Sequence, residues 1–134
     1  MTQLKHLLVP VDGSEGSMKA ASLGGDLARK LDAELTVLLV QDEKAVVAHA
    51  WETGDNDSGL ASPQGSVEAA RSAMEKAALQ NELADARVAV GDVTAGLKLV
   101  QVWGHPARDI CLYAKENDAD MIIMGSHGRT GLKR

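Results

Sequence analysis

The length, composition and charge of this chain exclude several classes of protein. Its 134 residues suit a single domain with its own core, and a formal net charge of −5 offers no basic surface for nucleic acid. Aromatic residues make up only 2% of the chain and cysteine occurs once, which argues against base-stacking platforms and excludes an intramolecular disulfide.

The apolar runs of the chain are short. No run approaches the length of a membrane span, and the first residues lack the pattern of a signal peptide. We therefore expect a cytoplasmic protein with no membrane partner.

The first third of the chain predicts a strand, a helix and a second strand. Leu4 to Val11 is an apolar strand, after which Ser14 is a suitable N-cap for a helix that ends at about Leu31. Glu34 to Val40 is a second buried strand. This order predicts a parallel βαβ unit.

The middle of the chain predicts a long helix and an edge strand. Gln41 to Gly65 is polar and predicts a loosely packed excursion around Trp51, which either seals an edge of the core or stacks on a ligand. A helix is expected from Ser66 to beyond Leu83. The alternating pattern of Leu97 to Trp103 then predicts an edge strand with one solvated face.

The last helix and strand lead into a glycine-rich stretch. Pro106 suits the first position of a helix, on which Cys111 falls on the apolar stripe and is expected to be buried. Met121 to Met124 predicts a strand buried on both faces. The glycines that follow are Gly125, Gly128 and Gly131, separated by Ser126, His127, Arg129 and Thr130.

Those glycines allow a sharp turn and a close approach of backbone N–H groups, and the residues between them are donors suited to phosphate. The stretch is therefore either an anion-binding loop or a plain turn. It matches neither the P-loop pattern nor the dinucleotide-binding pattern of glycines.

Strands that alternate with helices predict a doubly wound α/β sheet in one domain that spans residues 1–134. In such a sheet, ligands bind beyond the carboxyl ends of the strands, where the strand order reverses. Because the two most continuous apolar strands, Leu4 to Val11 and Met121 to Met124, should be central neighbours, we expect the loop at Asp12 and the loop at Gly125 to Gly131 to meet there. The sequence thus predicts a site between these two loops.

Four motifs together resemble the universal stress protein family. They are L-L-V-P-V-D-G-S at 7–14, L-L-V-Q-D-E at 38–43, G-H-P-A at 104–107 and M-I-I-M-G-S-H-G-R-T-G at 121–131. The resemblance implies a flavodoxin-like parallel sheet of order 3-2-1-4-5 and, in one branch of the family, an ATP site with the signature G-x2-G-x9-G-[ST]. The last glycine of that signature falls beyond Arg134, so we expect order 3-2-1-4, without the family's fifth strand.

The resemblance also implies roles for single residues. The residues that match the adenine side are Pro10, Val11, Asp12 and Val40. Those that match the ribose and phosphate side are Met124, Gly125, Ser126, His127 and Gly128, and the same anion loop continues through Arg129 and Gly131.

The function implied is an ATP-binding regulator of the stress response, with any Mg²⁺ arriving on the phosphates. The alternative is a nucleotide-free interaction protein that acts through dimerisation or a partner. ATP hydrolysis is a third hypothesis, although no base, nucleophile and orienting group stand together in the sequence. Because the outer edge of the last strand lacks a partner in this prediction, we expect a homo-oligomer.

Overall fold

The structure is a computed structural model that describes residues 3–46 and 63–126. Among the described residues, strands and helices alternate, except that at least two helices lie between the second and third strands. In chain order they are β1 His6–Val11, α1 Glu15–Leu31, β2 Glu34–Gln41, α2 Pro63–Gln80, α3 Glu82–Val90, β3 Leu97–Trp103, α4 Pro106–Glu116 and β4 Met121–Ile122.

The four strands form one parallel sheet in the order β3-β2-β1-β4, which confirms the predicted fold and order. β1 lies between β2 and β4, with Val11 opposite Leu39 and Leu7 opposite Met121. Burial on both faces explains why β1 is a continuous apolar run rather than an alternating one. β3 lies at one edge, as its alternating pattern predicts.

Alternate side chains of the central strands face two hydrophobic layers. Leu7, Val9 and Val37 pack with the small residues of α1 and with α3 on one face. Leu8 and Leu38 pack against Ile110 of α4 on the other. Because successive side chains of a strand point to opposite faces, each central strand contributes side chains to both hydrophobic layers.

The contact between α1 and α3 depends on a glycine and an arginine. A Cβ at Gly25 would overlap the carbonyl oxygen of Val90, so only glycine allows the two backbones to come this close. Arg29 Nη1 donates to the carbonyl oxygens of Val90 at 2.7 Å and Asp92 at 3.0 Å. The guanidinium thereby satisfies acceptors at the end of α3 that the helix leaves unpaired.

The middle of the chain differs from the prediction in three respects. The expected single helix is two, because α2 ends at Gln80 and α3 begins at Glu82. Cys111 is exposed rather than buried, and Ile110 is the buried residue of α4. Val46 is buried against Ala70, so the start of the polar excursion does pack. The predicted role of Trp51 falls outside the described residues.

β4 is also more exposed than predicted. Met121 and Ile122 are 37% and 38% exposed and Met124 is 59% exposed, whereas Ile123 is buried in the α1 layer. The prediction of burial on both faces was wrong because β4 is an edge strand in the described sheet. An apolar run reports hydrophobicity, but it does not report how many neighbours a strand has.

Candidate functional site

The loop after β1 is fixed by a compact set of hydrogen bonds. The Asp12 carboxylate oxygen Oδ1 accepts from Ser14 N at 2.9 Å, and Gly13 adopts a φ of +84° that favours glycine. Ser14 caps α1, because its hydroxyl accepts from Ser17 N at 3.2 Å. The sequence D-G-S thus makes a turn and a helix start in three residues.

The loop after β4 packs directly on the first turn of α1. Ile123 N donates to the carbonyl oxygen of Leu8 at 2.9 Å, which continues the pairing with β1 beyond β4 itself. At Gly125, a Cβ would lie 2.6 Å from the carbonyl carbon and 2.7 Å from the carbonyl oxygen of Gly16. Only a residue without a side chain fits this approach, so the glycine that opens the predicted anion loop is required by packing as well.

A cleft of about 540 Å³ opens where these two segments meet. This volume lies within the range of roughly 300 to 1,000 Å³ typical of small-molecule sites. Its walls come from the first turns of α1 and from the chain that follows β4. The lining residues are Ser14, Glu15, Gly16, Lys19, Ala20, Leu23, Ile123, Met124, Gly125 and Ser126.

The residues predicted from sequence divide into three groups. Met124, Gly125 and Ser126 line the cleft. The residues predicted for the adenine side lie next to one another at the carboxyl ends of β1 and β2, but outside the lining of the cleft; they are Pro10, Val11, Asp12 and Val40. The remaining four lie outside the described residues: His127, Gly128, Arg129 and Gly131.

The adenine-side residues are neighbours because of the strand register. Pro10 pairs with Leu38 and Val11 with Leu39, so the next positions along the two strands are Asp12 and Val40. Val40 packs in the α4 layer, whereas Val11 packs in the α1 layer. Val11 and Val40 therefore lie on opposite faces of the sheet, and Val11 is only 4% exposed.

Sequence reasoning missed the residues that α1 contributes. Gly16 and Ser17 form the surface on which Gly125 packs, and Lys19 and Leu23 line the cleft. The spacing of Ser14 and Ser17, three residues apart at a helix start, is a signal that could have identified Ser17. No local pattern marks Gly16, because its role depends on a segment more than 100 residues away in the chain.

At the opposite end of the sheet, Asp120 clamps β4 to β1. One carboxylate oxygen, Oδ2, accepts from the backbone N–H groups of Lys5 at 2.8 Å and His6 at 2.9 Å. These hydrogen bonds hold the pKa of Asp120 below its ordinary value of 3.8, because they stabilise the charged form. The aspartate that precedes the strand M-I-I-M is therefore structural.

The G-H-P-A motif is a helix start rather than part of the cleft. Asp109 accepts from the backbone N–H of His105 at 2.6 Å, and this hydrogen bond lowers the pKa of Asp109. Gly104 has a φ of +155°, and a Cβ there would contact the Asp109 carboxylate. Pro106 occupies the start of α4, where a missing N–H is tolerated.

Metal-binding clusters and membrane-spanning helices are both absent from the described ranges. Among residues 3–46 and 63–126, no group of three or more His, Cys, Asp and Glu side chains comes together to hold a metal ion. In the same part of the chain, no helix combines the length and hydrophobicity needed to cross a membrane.

The parallel sheet with a ligand-sized cleft at its carboxyl ends defines a small flavodoxin-like α/β protein. The family model described as "Universal stress protein family" matches residues 3–134. The chain is 32% identical over 127 residues to universal stress protein YxiE of Bacillus subtilis, an alignment that covers 95% of this chain and 82% of that protein. This chain therefore belongs to the universal stress protein family.

Solved structures have the same fold. That of the hypothetical protein MJ0577 superposes with a TM-score of 0.77 at 24% identity, over 98% of this chain and 81% of that one. A universal stress protein crystallised in complex with cAMP superposes with a TM-score of 0.54 at 17% identity, over 92% of this chain and 73% of that one.

Proposed function

We propose that this chain is a regulator of the stress response that binds ATP between the loops after β1 and β4. The observation that carries the proposal is the contact of Gly125 with Gly16 at the mouth of the 540 Å³ cleft. This contact brings Gly125, the residue at which the predicted anion loop begins, to the amino terminus of α1. Backbone N–H groups and the helix dipole both favour negative charge at such a place.

The proposed roles follow the chemistry of each group. The Asp12 carboxylate accepts a hydrogen bond from the exocyclic amine of adenine at the carboxyl ends of β1 and β2, where Pro10, Val11 and Val40 also lie. The chain from Gly125 onward surrounds the ribose and phosphates, with donors supplied by Ser126, His127, Gly128, Arg129 and Gly131. A bound Mg²⁺ is held by the phosphates, with water completing its coordination.

The family supports the proposal in general terms. One universal stress protein of this fold is crystallised in complex with cAMP, an adenine nucleotide. In the proposed pose the Asp12 carboxylate faces position 6 of the purine, where adenine presents an amine and guanine presents a carbonyl oxygen. A carboxylate cannot donate to that oxygen, so the proposal includes discrimination between ATP and GTP.

The experiment is a calorimetric titration with ATP, GTP and tripolyphosphate, each with Mg²⁺. We expect ATP to bind more tightly than GTP, and Asp12→Ala to weaken ATP while leaving tripolyphosphate nearly unchanged. If ATP does not bind the wild-type chain, the proposal fails. Equal losses of ATP and tripolyphosphate in the variant would place Asp12 at the phosphates or their metal.

A second candidate function is a nucleotide-free interaction protein that acts as a homo-oligomer. It is favoured by the exposure of Met121, Ile122 and Met124 at the end of the sheet. No strand among the described residues pairs with the outer edge of β4, whose N–H and C=O groups suit a second copy of the chain.

Light scattering with and without ATP separates the two candidates. A dimer that forms equally in both conditions, together with no ATP signal in calorimetry, supports the interaction protein. Replacing Ile122 with lysine should then give a monomer, with exposed Val88→Lys on α3 as the matched control. A wild-type monomer at all concentrations would contradict this second candidate.

A further inference from the structure

The hydroxyl of Ser17 lies where the two loops of the proposed site meet. Ser17 is only 5% exposed, although it is a polar residue in the first turn of a helix. Its Oγ accepts from Asp12 N at 3.3 Å and donates to the carbonyl oxygen of Ser14 at 3.0 Å. A hydroxyl has one proton and two lone pairs, so it makes both bonds at once.

These bonds complete a ring that includes the Asp12 carboxylate. Asp12 Oδ1 accepts from Ser14 N at 2.9 Å, and Ser14 Oγ accepts from Ser17 N at 3.2 Å. Asp12 is therefore held at its backbone N–H by Ser17 and at its carboxylate by Ser14.

The same residue forms the surface beneath the loop after β4. A Cβ at Gly125 would lie 3.1 Å from Ser17 N, next to the still closer contacts with Gly16. The peptide between Gly16 and Ser17, in the first turn of α1, is thus the surface that Gly125 contacts.

We propose that Ser17 is a positioning residue of the nucleotide site, which acts on the base through Asp12. Its hydroxyl fixes the backbone of Asp12 and so the direction in which the carboxylate faces adenine. The inference rests on the proposed function, and it adds that base recognition depends on a residue that does not itself touch the ligand.

A double-mutant cycle tests this role. The variants are Ser17→Ala, Asp12→Ala and the double variant, each titrated with ATP and with tripolyphosphate. We expect Ser17→Ala to weaken ATP about tenfold, as the loss of one or two buried hydrogen bonds does, with tripolyphosphate changed less than about twofold. Because Ser17 acts through Asp12, the double variant should bind ATP no more weakly than Asp12→Ala alone.

Two further variants separate positioning from general stability. Ser22→Ala removes an exposed hydroxyl from the same helix and should leave both affinities unchanged. Ser17→Cys keeps nearly the same volume but forms only weak hydrogen bonds, so it should reproduce the loss of ATP affinity even if Ser17→Ala folds poorly.

The outcomes distinguish the inference from the proposed function. Additive losses in the double variant, or equal losses of ATP and tripolyphosphate, would overturn the positioning role while ATP binding stands. Wild-type affinity in Ser17→Cys would also overturn it. A wild-type chain that binds no ATP would overturn the proposed function, and this inference with it.

Discussion

The substitution Gly125→Ala tests whether the contact between Gly125 and the first turn of α1 controls both the stability of the fold and ligand binding. The new Cβ would lie 2.6 Å from the carbonyl carbon of Gly16, whereas carbon atoms in contact are separated by roughly 3.5 to 4.0 Å. The loop after β4 would therefore have to move by about 1 Å. The atoms it meets are backbone, which cannot move aside as a flexible side chain does.

A forced shift of this kind costs about 1 to 3 kcal/mol of unfolding free energy. For a chain of this length, we expect Tm to fall by roughly 3 to 12 °C. ATP affinity should fall tenfold or more, since binding geometry tolerates displacements of only about 0.5 Å.

The assays are thermal unfolding by circular dichroism and calorimetric titration with ATP. Ser126→Ala is the matched control, because Ser126 is the exposed neighbour and its side chain can be shortened without a clash. This control should keep the wild-type Tm. Wild-type Tm and ATP affinity in Gly125→Ala would refute the contact and the role of the loop together.

Three further predictions concern other elements of the fold and site. Asp120→Asn should make the free energy of unfolding less dependent on pH in the acid range. The pKa of Asp120 is lowered in the fold, so its carboxylate stabilises the protein fully above the ordinary pKa of 3.8 and loses this effect as pH falls through the lowered pKa. Urea unfolding measured between about pH 2 and pH 6 should therefore show a smaller pH dependence than in wild type, and the same pH dependence in both proteins would argue against the clamp. Gly104→Ala should lower the urea midpoint by the equivalent of about 1 to 3 kcal/mol without changing ATP affinity, because a residue with a Cβ is strained at the φ of +155° that Gly104 adopts; a wild-type midpoint would contradict this. Gly128→Val, which rests on the sequence alone, should weaken ATP tenfold or more with Tm unchanged, and calorimetry that finds full affinity would remove this glycine from the site.

The sequence determined the elements and much of their arrangement. The apolar run of β1 predicts a central strand, and the alternation in β3 predicts an edge strand; both hold in the sheet. The two predictions hold because each strand's pattern follows the burial of its own two faces, although the same reasoning was wrong for β4. The order 3-2-1-4 came from the family resemblance, since periodicity carries no information about which strands are neighbours.

Several features were decided only by the tertiary structure. β4 and β1 have equally apolar sequences, yet Ile122 is exposed because β4 lies at an edge of the described sheet. The contact between Gly125 and Gly16 joins residues that are far apart in the chain, and it makes Ser17 part of the candidate site. Local sequence fixes what a segment can bury. Which surface it meets depends on how distant segments pack, and that decided the geometry of this cleft.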